Sequence, residues 1–325
     1  MSGQITLGIL SDIHYAGAAE RARGRDYEYR EIANPALRLL ARLYRHFIWL
    51  RDPLYQGHLL DRFLEQEASF DYLIANGDYS CNSAFVGLSD DAACASAREC
   101  LGKLRRKFGA RLLANYGDHE LGKMSMFGGR GGMRLTSLRR GREDLALKPF
   151  WKVLIGNYVL MGVASSLVAL PVFESDILPS ESPEWGRVRA EHLEEVRKCF
   201  AALAPDQRVL LFCHDPTALP FLSREPEVEA RLSQIEQTII GHLHSNLVLW
   251  KSRLLAGMPA IGCLGHTVRR LSTALNQARE WRPFKVRLCP ALAGIELSKR
   301  GGYLTAQLDT AALQPARFKF HRIVR

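Results

Sequence analysis

The sequence predicts an α/β fold, in which short buried strands alternate with amphipathic helices. Five apolar runs rich in Leu, Ile and Val stop abruptly at Ser, Gly or Cys, as buried strands do. Each run is followed by residues that bind metals, and ligands in open α/β sheets gather beyond the carboxyl ends of strands. The runs are ITLGIL before SDIH, YLIAN before GDY, LLANY before GDHE, VLLF before CHD, and TII before GHLH.

Helical spacing of apolar residues predicts helices near 36–50, 58–67, 92–108 and 186–203. The first of these begins at Asn34-Pro35, a cap followed by a proline that suits the first turn. It carries arginines beside its apolar stripe, which leaves two interpretations open. The stripe packs on the protein and the arginines face water, or the segment is a lid or a lipid-facing helix.

Two further regions have weaker patterns. Residues 121–149 contain Gly-Gly-Arg-Gly-Gly and are predicted to be an irregular, mobile loop. Arg130 and Arg134 on this loop are candidates to grip a phosphate through their guanidinium forks, although a solvated loop is the alternative. Near the end of the chain, strands at 294–297 and 303–308 are predicted to pair through a turn at 300–302.

The uncharged stretch 153–173 is long enough to span a bilayer. The turn pair Gly156-Asn157 divides it, so a hairpin of strands 152–155 and 158–164 is the better interpretation. The N-terminus lacks the pattern of a signal peptide. The seven cysteines have no paired spacing and are expected to be reduced, which favours the cytoplasm, with peripheral attachment to a membrane left open.

A net charge of +10 indicates an anionic partner or simply a basic surface. An anionic membrane surface is one such partner. Nucleic acid is not favoured, because no DNA- or RNA-binding motif is present.

The residues at the five strand ends are carboxylates and imidazoles, which suit borderline-hard divalent metals. Alternation along a strand would aim Asp12 and His14 the same way, and likewise His242 and His244. The full set is Asp12, His14, Asp78, Asp118, His119, His214, His242 and His244.

The order of these motifs, D-x-H, G-D, G-[N]-H-E, H and G-H-x-H, resembles the calcineurin-like metallophosphoesterases. The matching blocks span residues 5–245, with one departure: Asp118 stands where that family has Asn. The resemblance implies a four-layer αββα sandwich of two mixed sheets, with a dinuclear metal site at the carboxyl ends of the strands. It also implies one domain over 1–325, with insertions at about 17–52 and 121–149.

The resemblance further implies two divalent ions, Mn, Fe or Zn. It assigns Asp12, His14 and His244 to one ion, Asp118, His214 and His242 to the other, and Asp78 to both. His119 would act on the transition state or protonate the leaving oxygen.

The expected activity is hydrolysis of a phosphoester by a hydroxide that bridges the two metals. The D-R-G that follows the second motif in protein phosphatases is absent, since Tyr79-Ser80-Cys81 stands there. A phosphodiester, a nucleotide, or a phospholipid or pyrophosphate headgroup therefore remains as substrate. The alternatives are a non-catalytic metal-binding scaffold on the same fold and a lipid phosphoesterase at a membrane surface. The sequence does not decide the substrate, the metal or the oligomeric state.

Asp118 adds a negative charge where the phosphate must lie. If that charge repels substrate, Asp118→Asn should raise kcat/KM; if it tightens the second metal or binds a substrate hydroxyl, the variant should be slower.

Overall fold

The computed structural model describes residues 3–30, 32–66, 69–125, 130–261 and 266–323. Within these residues the chain forms ten strands that make two sheets. The strands are β1 (Gln4–Leu10), β2 (Tyr72–Ala75), β3 (Leu112–Ala114), β4 (Phe150–Ile155), β5 (Tyr158–Val163), β6 (Arg208–Cys213), β7 (Ile235–Ile240), β8 (Val286–Leu288), β9 (Gly302–Asp309) and β10 (Arg317–Arg322).

The same residues form twelve α-helices, five of them short. They are α1 (Ala18–Arg21), α2 (Pro35–Phe47), α3 (His58–Glu65), α4 (Asp91–Phe108), α5 (Asp118–Leu121), α6 (Leu135–Glu143), α7 (Ser165–Val168), α8 (Ser182–Ala201), α9 (Leu219–Leu222), α10 (Pro226–Glu229), α11 (Asn246–Leu254) and α12 (His266–Gln277). No helix in the described part of the chain is long and apolar enough to cross a bilayer.

Both sheets are mixed, as expected. The first has the order β10-β9-β1-β2-β3, with β1, β2 and β3 parallel and the other two strands antiparallel. The second has the order β4-β5-β6-β7-β8, and only β4 runs antiparallel to its neighbour. In each sheet the parallel strands therefore end at one edge, and the five predicted strand ends are β1, β2, β3, β6 and β7.

Alternating side chains on the strands divide the interior into layers. Ile9, Ile74 and Phe212 belong to one apolar cluster that draws on both sheets and contains no α-helical residue, so it lies between them. Leu73 and Leu211 point the other way and join a larger cluster with residues of α4 and α8. The arrangement is the predicted four-layer αββα sandwich.

The structure corrects two of the expected elements. Residues 294–297 are not a strand: β9 pairs instead with β1 and with β10, an edge strand that the sequence analysis missed. Residues 121–149 are not irregular throughout, because 135–143 form α6 and bury Ser137 and Leu138 against the protein. Residues 126–129 of this segment lie outside the described part of the chain. The hairpin of β4 and β5 around Gly156 is confirmed.

Helix α2 does not pack its apolar stripe on the protein, which was the first of the two interpretations. Its half-buried or buried positions are Arg38, Ala41 and Arg45, which form one stripe along the helix. The Arg38 guanidinium donates to the carbonyl of Ile32 at 2.8 Å. The apolar side faces solvent, with Leu37, Leu39, Leu40, Leu43, Tyr44, Phe47 and Ile48 all exposed.

Candidate metal centre

Backbone hydrogen bonds join the loops that follow the parallel strands. The N–H groups of Asp12 and His14 donate to the carbonyls of Gly77 and Asp78, at 3.2 and 3.0 Å, which ties the end of β1 to the end of β2. In the second sheet, Gly241 N–H donates to the carbonyl of His214 at 2.9 Å. Each pair of loops thus continues the parallel alignment of its strands and holds the side chains in register.

The predicted ligands do not lie on strands, so alternation along a strand does not explain their common direction. Asp12, His14, Asp78, His242 and His244 all have φ between 48° and 61°, the left-handed region. Among residues with a side chain, Asn, Asp and His enter this region most readily. The turns they form, and not a strand pleat, aim these side chains into one space.

The first group of candidate ligands is Asp12, His14 and His244, all buried. His244 Nε2 lies 3.3 Å from Asp12 Oδ1, and the Nε2 atoms of His14 and His244 are 3.2 Å apart. Each neutral imidazole carries one N–H, so either a hydrogen bond between these two nitrogens or a cation that both bind accounts for the short distance. Burial lowers the pKa of His244 well below its ordinary value, which keeps its imidazole neutral, the form that binds a metal.

The second group is Asp118, His214 and His242. Asp118 Oδ1 lies 3.3 Å from His214 Nε2 and 3.0 Å from His242 Nδ1. His214 donates its other nitrogen, Nδ1, to the carbonyl of Asn76 at 2.6 Å, which orients Nε2 toward the carboxylates. This is the arrangement by which a metal-binding histidine is held by a partner behind it.

Asp78 lies between the two groups. Its Oδ2 is 3.1 Å from His214 Nε2 and 4.0 Å from His14 Nε2. Burial and the neighbouring Asp118 would raise the pKa of Asp78, but the imidazoles of His119 and His214 outweigh them and lower it. A carboxylate that stays ionised between two groups of donors suits a bridging ligand.

Glu120 supports this carboxylate from behind, a role that the sequence analysis did not assign. It accepts hydrogen bonds from the backbone N–H groups of Asp78, Tyr79 and Gly117, at 2.8–2.9 Å. Burial raises the pKa of Glu120 to about 8, against the effect of these three donors. The signal in the sequence was the Glu of the G-D-H-E motif itself.

His119 borders both Asp78 and the first group. Its Nδ1 lies 3.2 Å from the carbonyl of Ser80, so Nδ1 carries the proton and Nε2 faces Asp78 Oδ2 at 3.9 Å. Burial lowers the pKa of His119 to about 3, so the imidazole is neutral near pH 7. Ligand atoms of His119, His14 and Asp78 also lie within 4.8 Å of one another, close enough to bind one ion together. His119 is therefore placed either to exchange a proton through Nε2 or to bind a cation.

Lys123 forms an ion pair with Asp118, the residue that stands where the resembled family has Asn. Its Nζ lies 2.7 Å from Asp118 Oδ2, which has no hydrogen bond from the other described residues. Burial would raise the pKa of Asp118, but Lys123 and His242 hold it well below its usual value. The extra negative charge at this position is thus matched by a positive charge. No motif in the sequence marks a single lysine for such a role.

Two buried asparagines join the sheets beneath the candidate ligands. Asn115 Nδ2 donates to Asn76 Oδ1 at 3.1 Å and to the carbonyl of Phe212, on β6, at 3.0 Å. Asn76 and Asn115 follow β2 and β3 directly, so this contact crosses from the first sheet to the second. The repeated Ala-Asn at the ends of two strand-like runs was the available signal.

An aromatic pair connects the ligands to the outer face of α2. The ring of Trp49 lies 4.6 Å from that of His244, and the rings of Tyr44 and Trp49 stack at 6.4 Å. Tyr44 belongs to the exposed apolar side of α2. The helix therefore borders the candidate metal centre.

Arg130 and Arg134 make contacts of a different kind from those expected. Arg134 donates to the carbonyls of Met133 and Gly131, at 2.9 and 3.0 Å. The guanidinium of Arg130 lies over the ring of Tyr27 at 4.6 Å and donates to the Tyr27 carbonyl. These contacts stabilise the loop, and a role in substrate binding stays a prediction.

The side chains present fit divalent cations. The groups contain carboxylate and imidazole donors in the proportions that Zn, Mn and Fe accept. Nε2 of His214 is buried and meets the carboxylates of Asp78 and Asp118 at 3.1 and 3.3 Å, a set of donor atoms that suits an ion. Nδ1 of His244 is buried and makes no hydrogen bond with the described residues, and buried polar atoms normally have a partner.

No protein-family model matches this chain, and no curated protein matches it. Among solved structures it is similar to a dimetal phosphatase from Danio rerio, with a TM-score of 0.50 and 13% sequence identity over 98% of this chain and 96% of that one. A second similar structure is a phosphopantetheinyl hydrolase from Mycobacterium tuberculosis, with a TM-score of 0.37 and 15% identity over 74% and 83% of the two chains. A TM-score of 0.37 does not establish that the two chains share a fold.

The first likeness concerns the fold alone, because the identity is low. Taken with the two mixed sheets and the buried groups at their common edge, it gives the class: the chain has a metallophosphoesterase-like fold whose His and Asp side chains could hold metal ions.

Proposed function

We propose that this protein is a metal-dependent hydrolase of a phosphoester. The observation that supports this most is the position of Asp78 between the buried group Asp12–His14–His244 and the group Asp118–His214–His242, in which only His242 is half-buried. Two metal sites that adjoin at one carboxylate suit phosphoester hydrolysis, because paired metals stabilise both the attacking and the leaving oxygen. Two bound divalent cations would supply an activated water and neutralise charge on the phosphate.

The protein's own residues divide the remaining work. Asp12 and Glu120 fix the loops, since Asp12 accepts from the backbone N–H of His242 and Glu120 from that of Asp78. Neutral His119 presents an unprotonated Nε2 beside the shared carboxylate, where it accepts a proton from the attacking water and then passes that proton to the leaving oxygen. The basic surface attracts an anionic ester.

The substrate is proposed only as a class. A phosphodiester, a nucleotide, and a phospholipid or pyrophosphate headgroup all fit a site of this charge. A lipid phosphoester gains support from one observation, the exposed apolar side of α2 that reaches His244 through Tyr44 and Trp49.

The test combines metal analysis with turnover. The protein reconstituted with Mn, Zn or Fe should hold two divalent ions and should hydrolyse a member of a phosphoester panel that includes a chromogenic phosphodiester. Asp78→Ala should lose nearly all metal and activity. Asp91→Ala is the matched control, because Asp91 is almost fully exposed and pairs only with Arg140 in the described structure.

The outcomes separate the alternatives. Two ions without hydrolysis of any ester would favour the non-catalytic scaffold. No more than trace metal after reconstitution would contradict the proposal as a whole.

A further inference from the structure

Helix α2 is an amphipathic helix attached by its polar side. Arg38, Ala41 and Arg45 face the protein, and Leu40 and Phe47 on the far side are each 61% exposed. An isolated exposed leucine is ordinary, but a continuous apolar face along thirteen residues is not. Such a face indicates a surface that binds an apolar partner, either a protein or a lipid bilayer.

Exposed apolar side chains continue beyond α2. Leu297 is exposed, and its N–H donates to the carbonyl of Ile48 at the end of the helix. On α11, which begins two residues after His244, Trp250 and Leu254 are also exposed. The apolar face of α2 and the metal centre thus share one end of the molecule.

The charge beside this face is positive. Helix α2 contains no acidic residue, and Arg42 on its flank is 45% exposed even though it pairs with Asp26. Arg25, Arg30 and Arg51 are exposed in the adjoining segments, although Arg25 pairs with Asp52 at 3.0 Å. An apolar face with arginines along its margin is the pattern of a helix that lies in a membrane interface and attracts anionic lipids.

We propose that α2 docks the protein on an anionic lipid bilayer, with Leu40, Phe47 and their neighbours inserted among the lipid chains. The arginines at the margin bind the headgroup phosphates. A second copy of this chain is a poorer occupant, because it would bring an identical positive margin against the first. Docking itself is independent of turnover, whereas the delivery of a lipid phosphoester to the metal centre rests on the proposed function.

Flotation with vesicles tests the docking. The full chain should bind vesicles of phosphatidylcholine with about one third phosphatidylglycerol in about 0.1 M salt, and binding should fall about tenfold or more on phosphatidylcholine alone or in about 1 M salt. The double variant Leu40→Asp/Phe47→Asp should lose about tenfold or more of the binding to the anionic vesicles. Both positions are exposed, so the fold should persist, which circular dichroism checks.

The matched control is Leu313→Asp. Leu313 is 75% exposed, and the next residue, Gln314, accepts a hydrogen bond from Tyr158 at the start of β5, the end of the sheet opposite the metal centre. Its variant should bind vesicles as the unmodified protein does. Absence of binding in low salt, or equal binding by the double variant, would overturn the proposal. A dimer in vesicle-free solution that the double variant dissociates would assign the face to a second copy instead.

Discussion

The ion pair of Asp118 and Lys123 gives the sharpest prediction, through the variant Lys123→Met. The pair is short, 2.7 Å, and its carboxylate side chain is 2% exposed while that of the lysine is 24% exposed. At an effective dielectric constant near 20 the attraction is about 6 kcal/mol, but Lys123 gives up much of its hydration to make it. Because imidazoles also contact Asp118, we expect the metal-free variant to lose about 2 kcal/mol of unfolding free energy.

Bound metal should remove most of this loss of unfolding free energy. A divalent cation at Asp118 replaces the positive charge of Lys123, and without the lysine it meets no repulsion. If the metal-loaded variant loses only about 0.5 kcal/mol, linkage requires metal to bind about tenfold more tightly to Lys123→Met than to the unmodified protein. For a chain of this length, 2 kcal/mol corresponds to a Tm lower by about 3 °C.

Calorimetry with chelator and with Mn measures both effects. Lys103→Met is the matched control, because Lys103 Nζ also lies 2.7 Å from a carboxylate, but the Asp61 side chain is 48% exposed. That surface pair should contribute no more than about 1 kcal/mol, whether or not metal is bound. An unchanged metal-free Tm, or weaker metal binding by Lys123→Met, would refute the argument that the lysine stands in for a cation.

Four other variants test neighbouring claims. Asp118→Asn releases Lys123 from its partner, so the KM for an anionic ester should fall while metal binds more weakly; a higher KM would show that the lysine does not face the substrate. His119→Ala should keep its metal and lose about 10²–10⁴-fold in kcat, whereas loss of metal would make His119 a ligand. Asn115→Leu removes the bonds between the sheets and should cost about 1–3 kcal/mol in chemical denaturation; no change would show that the asparagines are dispensable. Burial, with Arg142 and Arg189 nearby, lowers the pKa of His192 to about 3. The unfolded chain therefore binds the proton first, and the stability that neutral His192 provides above pH 6.5 should fall by about 2 kcal/mol at about pH 5; His192→Leu should remove that part of the pH dependence.

The sequence predicts the strands of this site well, because each ends sharply and is apolar over its last residues. It also places the candidate ligands after these strands, and so at the carboxyl edge of each sheet; their binding of metal stays a prediction. It misses the pairing of β9 with β1, because that pairing joins residues nearly 300 positions apart that no local turn connects. It misses β10, which follows β9 closely, because this exposed edge strand alternates basic and aromatic residues and has no apolar run. It misses α6 because glycines and arginines suggest a loop until packing against the protein favours a helix.

The orientation of α2 and the role of Lys123 depend on tertiary structure. Spacing identifies an amphipathic helix, but the pattern is the same whichever side faces the protein. The direction becomes known only when Arg38 is seen to bind the carbonyl of Ile32. The role of Lys123 likewise depends on its ion pair with Asp118, five residues earlier. A single lysine after a helical turn is common, so the sequence alone does not indicate this role.

The left-handed conformation of the ligands affects how each can be replaced. Asp12, His14, Asp78, His242 and His244 each combine a donor atom with a backbone that costs alanine about 1 kcal/mol or more. Alanine at these positions therefore changes two properties, the donor and the turn. Glycine removes the donor and keeps the turn, and asparagine keeps both the turn and a weaker oxygen donor. Asparagine and glycine are therefore the substitutions that these positions should tolerate best. A related protein with such substitutions should lose the metal and keep the conformation of the loops.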